Sequence, residues 1–117
     1  VELMEAHGLY AGHTRNVRNG NDTLFRGAPC LILIHAPERI LSETDCATAA
    51  AYLELILPSL GLGSCWAGML LEACAHGSPA GLDLPEGHKL YAALMVGTPA
   101  VSYRRIPFRS APACIWK

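Results

Sequence analysis

Charge is what this chain of 117 residues has least of. Acidic and basic side chains make up 16% of it and nearly cancel, to a formal net charge of −1; an ordinary soluble domain carries about a quarter. A general nucleic-acid binder, which needs a strongly basic face, is excluded. Intrinsic disorder is excluded as well, because 51% of the residues are hydrophobic and such a chain can bury a core. No CxxC pair exists among Cys30, Cys46, Cys65, Cys74 and Cys114, and their number is odd. A zinc ribbon, a thioredoxin-type pair and a disulfide scaffold therefore lack a basis. Unpaired thiols point to a reducing compartment, the cytoplasm. Every apolar run breaks well short of the roughly 18 residues a membrane span requires, and the N-terminus has no secretory-leader pattern. His7, His13, His35, His76 and His88 show neither HxH nor HxxxH spacing, so no metal site is expected.

What is present fits one domain. At this length roughly two-thirds of the unfolded surface can be hidden. A chain so poor in charge has little polar surface to cover itself, which points to an obligate oligomer or a missing segment. The charges are also segregated. Residues 1–86 hold four arginines and all ten acids, net −6, whereas residues 87–117 hold Lys89, Arg104, Arg105, Arg109 and Lys117 and no acid, net +5. A cationic end on a neutral chain reads either as a localised anion site or as a solvated tail.

Val1–Gly12 is a weak helical stretch interrupted by Gly8 and Gly12. Thr14–Gly27 is polar, without apolar period, and reads as a long loop of the kind that is functional or mobile. Cys30–Ala36 is a continuous apolar run ending in His35 and stopped by Pro37, the pattern of a strand buried on both faces; His35 reads as a satisfied core histidine. Ser42–Asp45 resembles a capping box and opens a helix that continues through Cys46–Leu60. That helix is apolar nearly all round, so it is expected to be buried on most sides. Pro58 should disturb its last turn, and Gly61 should stop it. A tight turn and short strand follow at Gly61–Gly68, then a short helix at Met69–Ala75, a turn region at Leu82–Gly87, and a second buried strand at Lys89–Val96. The tail from Ala100 reads as extended, because Pro107 and Pro112 disfavour helix before them.

Leu62-Gly63-Ser64-Cys65-Trp66 matches part of a papain-type nucleophile signature. That chemistry needs an imidazole partner and an orienting amide far downstream, and no asparagine follows Asn21. Gly61-x-Gly63 is not a dinucleotide turn: it follows a helix instead of a strand, and Gly68 falls at the wrong spacing. No serine sits in a nucleophile elbow. A glycine-rich turn and an arginine-rich tail remain. Glycine lets backbone N–H groups approach a planar or anionic ligand, and arginine grips phosphate bidentately. Together they suit a phosphorylated planar cofactor; a packed helix–turn–strand corner with a solvated tail is the plainer reading.

From about Phe25 to Trp116 the sequence resembles the C-terminal part of a nitroreductase-family flavoprotein. The resemblance rests on six pieces in order. They are Arg26-Gly27-Ala28-Pro29, Asp45-Cys46-Ala47, Gly61 through Gly68, Leu84-Pro85-Glu86-Gly87-His88-Lys89, Val96-Gly97-Thr98-Pro99-Ala100, and Tyr103-Arg104-Arg105-Ile106-Pro107-x-Arg109. It implies an α+β fold, an antiparallel sheet flanked by helices, as a single nitroreductase-like domain over residues 1–117 truncated at its N-terminus. It further implies an intertwined homodimer with FMN at the interface. NAD(P)H would deliver a hydride to flavin N5, and a small acceptor such as a nitroaromatic or quinone would then be reduced. The resemblance assigns Cys65, Trp66, Ala67, Gly68 and Met69 to the flavin ring and Arg104, Arg105 and Arg109 to its phosphate. No protein residue receives a catalytic role, since the chemistry is the cofactor's. The family's N-terminal arginine- and serine-rich phosphate-binding stretch would lie before residue 1. Ala50 and Ala51 stand where glutamine or asparagine is common, and Met69 where a second glycine is common. A non-catalytic flavin-binding or dimerisation module is the alternative these departures allow, and a phosphate-ligand module using the arginine tail is a third.

Overall fold

Two proline-bracketed apolar runs set the scaffold. The structure, a computed structural model, describes residues 1–77, 82–105, 108, 110, 111 and 113–116. Its elements in chain order are α1 (Glu2–Ala6), α2 (Ala11–Arg18), β1 (Cys30–Pro37), α3 (Ser42–Ile56), a 3-10 turn (Leu57–Leu60), β2 (Gly63–Trp66), α4 (Gly68–Ala75) and β3 (His88–Gly97). The three strands form one antiparallel sheet in the order β1-β3-β2. This is the α+β arrangement, antiparallel sheet and flanking helices, that the sequence implies.

β3 is the central strand, and its residues divide the core. Ala92, Leu94 and Val96 face α3, where they meet Ala50 and Leu57. Ala93 and Met95 face the other way, toward Ala67, Leu70 and Leu71. Opposite alternation on one strand is what a sheet covered on both sides requires. Ile34 pairs with Ala92 but His35 pairs with Leu90, so Tyr91 is an extra residue. This bulge inverts the phase and turns Leu90 toward the α4 side. Leu94 has no exposed surface, and burying it contributes about 2–3 kcal/mol.

Gly97 shows why small residues end the sheet. A Cβ there would lie 2.9 Å from Pro29 Cδ, so Pro29 at the mouth of β1 packs directly on the Gly97 backbone. Two pieces of the resemblance far apart in sequence thus form one contact.

Several local expectations are corrected. Residues 14–27 are not one loop: α2 takes in Ala11–Arg18, with Gly12 inside it. α2 holds because Val17 packs with Met4, Leu24 and Phe25 against Ala73, a tertiary gain that overrides weak propensity. The rest of that segment is tied by Asp22, whose carboxylate accepts the N–H groups of Leu24, Phe25 and Gly27 at 3.2, 2.8 and 2.8 Å. Ser42 does not cap α3; its hydroxyl donates to the Pro37 carbonyl at 2.6 Å. α3 is not buried all round either. Ser42, Cys46, Ala50 and Leu57 form one buried stripe at spacings of four, four and seven residues, and Tyr52, Leu55, Ile56 and Leu60 are exposed. β1 is only partly covered, and His35 is exposed, its Nδ1 hydrogen-bonded at 2.8 Å to His88 Nδ1 across the sheet. Pro58 converts the end of α3 to the 3-10 turn, and Gly61 closes it with φ +73°, as its lack of a Cβ permits.

Candidate functional site

β2 hands the chain to α4 through a single residue. Ala67 keeps the sheet bond, donating to Ala93 O at 2.8 Å, and then leaves strand geometry with φ −88° and ψ 59°. Its carbonyl accepts from Leu70 and Leu71 at 3.0 and 3.3 Å, which starts the helix. The N–H groups of Gly68 and Met69 open α4 and have no carbonyl behind them within the helix. They carry the positive end of its dipole.

Beside this corner lies a cavity of about 370 Å³. Trp66, Ala67, Gly68 and Met69 form part of its wall, together with Phe25 and Met95. Among the described residues none of the lining side chains carries a charge. At Gly68 a Cβ would meet nothing within 4 Å, so the space over its backbone is open. A flat aromatic group can rest there against main chain, with apolar walls around it and helix-terminal N–H donors at one edge. That combination fits a flavin ring.

The N-terminal helices close the cavity, a role their sequence does not announce. Met4, Val17 and Leu24 reach its wall. α1 is fixed to α2 by Arg18 and Glu5, with Arg18 Nε donating to Glu5 Oε1 at 2.6 Å. The Tyr10 hydroxyl donates to the Glu72 carboxylate on α4, and that bond raises the Tyr10 pKa. The signal available in sequence was the apolar spacing of Leu3, Met4, Val17, Leu24 and Phe25, which no simple period connects.

Four of the five residues assigned to the flavin ring therefore come together: Trp66, Ala67, Gly68 and Met69. Cys65 is exposed on β2 opposite Met95 and is not part of the cavity wall. Arg104 and Arg105 are exposed and lie outside the wall of that cavity. Arg109 falls outside the described residues. Among the described residues no cluster of three or more histidine, cysteine, aspartate or glutamate side chains could hold a metal ion. All five cysteines are free thiols. Among the described residues no helix is long and apolar enough to cross a membrane.

Comparison with known proteins agrees with this architecture. No curated protein matches the sequence. Among solved structures, the chain is similar to a nitroreductase with bound FMN from Bacteroides fragilis. The TM-score is 0.68 and the identity 22%, over 99% of this chain and 67% of that one. At that identity the likeness speaks for the fold. Residues 2–98 match the pattern of the Nitroreductase family, most of the 117 residues, and the chain belongs to that family.

Proposed function

We propose that the protein is an FMN-dependent oxidoreductase acting as a homodimer. It would take a hydride from NAD(P)H and reduce a small acceptor such as a nitroaromatic or a quinone. The observation that carries this reading is the open backbone at Gly68, where α4 begins beside a cavity of about 370 Å³ lined chiefly by apolar side chains. Family membership supports the same chemistry.

Bound FMN would supply the hydride-accepting N5 and the electron storage. The chain supplies the rest. Gly68 lets the ring approach the main chain. The N–H groups of Gly68 and Met69 direct positive potential at the ring edge, where negative charge grows on reduction. The walls from Phe25 and Met95 exclude water, which strengthens those electrostatic contacts.

Arg104, Arg105 and Arg109 are the residues for the phosphate. Since Arg104 and Arg105 stand off this chain's own cavity, we infer that they serve a cofactor bound across two protomers. The exposed side of α3 and the turn after it supports a dimer: Tyr52 and Leu55 on α3 and Leu60 in the 3-10 turn are 64%, 76% and 68% exposed, large apolar side chains that this chain leaves uncovered. The free thiols fit a reducing compartment, which we take to be the cytoplasm.

The test is an FMN titration of the purified chain followed by visible absorbance, then NAD(P)H oxidation with a quinone. Saturable binding at one flavin per chain, with turnover, is expected. Binding without turnover would leave a flavin carrier or dimerisation module. No binding at all would remove the proposal.

A further inference from the structure

Glu54 breaks a local rule. The other acids of α3, Glu43 and Asp45, sit in its first turn, where they complement the helix dipole. Glu54 sits in the last turn, where a carboxylate faces the negative end. An unfavourable placement of this kind calls for a compensating contact elsewhere.

The contact is Trp66. Its indole Nε1 donates to Glu54 Oε2 at 2.7 Å, a charge-assisted bond. The ion pairs among the described residues are Arg18 with Glu5 and Lys89 with Glu38, so no described cation is paired with Glu54. The sheet register explains how the two meet. Trp66 lies opposite Leu94, whose side chain belongs to the α3 face. The indole is therefore directed toward α3 while the next residue, Ala67, turns into the cavity corner.

Among the described residues β2 is a short edge strand, paired to β3 alone, and Trp66 is its last residue before the turn. A side chain anchored on one face of the sheet fixes the main chain that leaves on the other. We propose that Glu54, through the Trp66 indole, is a positioning residue that holds the Ala67–Gly68–Met69 backbone in the orientation that faces the cavity. The inference rests on the flavin reading for its purpose, but not for its geometry.

The test uses the full chain as wild type, Glu54→Gln, Glu54→Leu, Trp66→Phe and the Glu54→Leu/Trp66→Phe pair. Gln keeps an oxygen acceptor; Leu and Phe each remove one end of the bond. In amide NMR spectra, the Gly68 and Met69 resonances should shift in Glu54→Leu and Trp66→Phe and stay near wild type in Glu54→Gln. FMN affinity should fall about tenfold in Glu54→Leu and in Trp66→Phe, equivalent to ~1.4 kcal/mol. It should fall no further in the pair, because both changes remove one contact. Glu54→Gln should stay within threefold of wild type. Unmoved Gly68 and Met69 amides in Glu54→Leu, or additive losses in the pair, would overturn the inference. If wild type binds no FMN, the flavin reading fails and the amide shifts still decide the brace. Should Glu54→Leu not fold, Trp66→Phe against Glu54→Gln decides it alone.

Discussion

Replacing Gly97 by alanine probes the contact that joins the two ends of the sheet. Gly97 closes β3 opposite Gly63, and the added Cβ would lie 2.9 Å from Pro29 Cδ and 3.4 Å from Pro29 Cγ. The first distance is inside van der Waals contact. The proline ring cannot rotate away as a flexible chain end would, so β1 must shift at its start. Overpacking of this kind costs roughly 1–3 kcal/mol. Alanine recovers about 0.4–1 kcal/mol of that, because it restricts the unfolded chain. A net loss of about 1–2 kcal/mol remains, or roughly 4–8 °C in Tm for a domain of this size. Gly63→Ala is the matched control: its Cβ would lie 3.6 Å from Pro99 Cβ, an ordinary contact, so only the unfolded-state gain applies. Urea unfolding followed by circular dichroism measures both. The two variants differing by less than about 0.5 kcal/mol would refute the reasoning, because the packing of Pro29 on Gly97 would then be slack.

Other outcomes follow from the same structure. Gly68→Ala should leave Tm unchanged or slightly raised, since its Cβ meets nothing within 4 Å, while FMN affinity measured by fluorescence titration falls at least about tenfold, ~1.4 kcal/mol. Leu55→Glu should convert a dimer to monomers on size-exclusion chromatography without altering the circular dichroism spectrum, because Leu55 is 76% exposed within one chain. Arg109→Ala should weaken FMN binding more than Arg39→Ala does; equal affinities would mean that the cationic tail is merely solvated. The Asp22 carboxyl is held below its usual range by the N–H groups of Gly27 and Phe25. Its contribution to stability is therefore complete above the unfolded value of about 3.9 and is lost as pH falls through the lower folded value. Asp22→Asn should flatten the acid limb of the stability–pH curve, read as Tm from pH 5 to pH 2.

The strands and long helix were legible in the sequence because their signals are local. Pro29 and Pro37 bracket the apolar run of β1, Gly61 ends the helical segment, and the His88–Gly97 strand lies between Gly87 and Pro99. α2 was not legible. Its stability comes from Val17 meeting Met4, Leu24 and Ala73, residues that no period along the chain relates. His35 was misjudged for the same reason: a run of apolar neighbours implies burial, but the end of a strand is covered only if another element crosses it. The all-round apolar character of α3 was visible, yet which side faces the sheet depended on packing against Ala92, Leu94 and Val96.

The sequence by itself determined the family, the α+β class, and the glycine-rich corner from Gly61 to Gly68, since each depends on residue type and order. Tertiary structure alone decided which residues meet there. The pleat of β3 sends Leu94 to one layer and Ala93 to the other. The register of β2 then places the Trp66 indole against Glu54, while Ala67, Gly68 and Met69 line a cavity roofed by Met4 and Leu24. Such meetings are long-range, made by strand pairing and side-chain alternation, and nothing in a linear run of residues encodes the distance between Glu54 and Trp66.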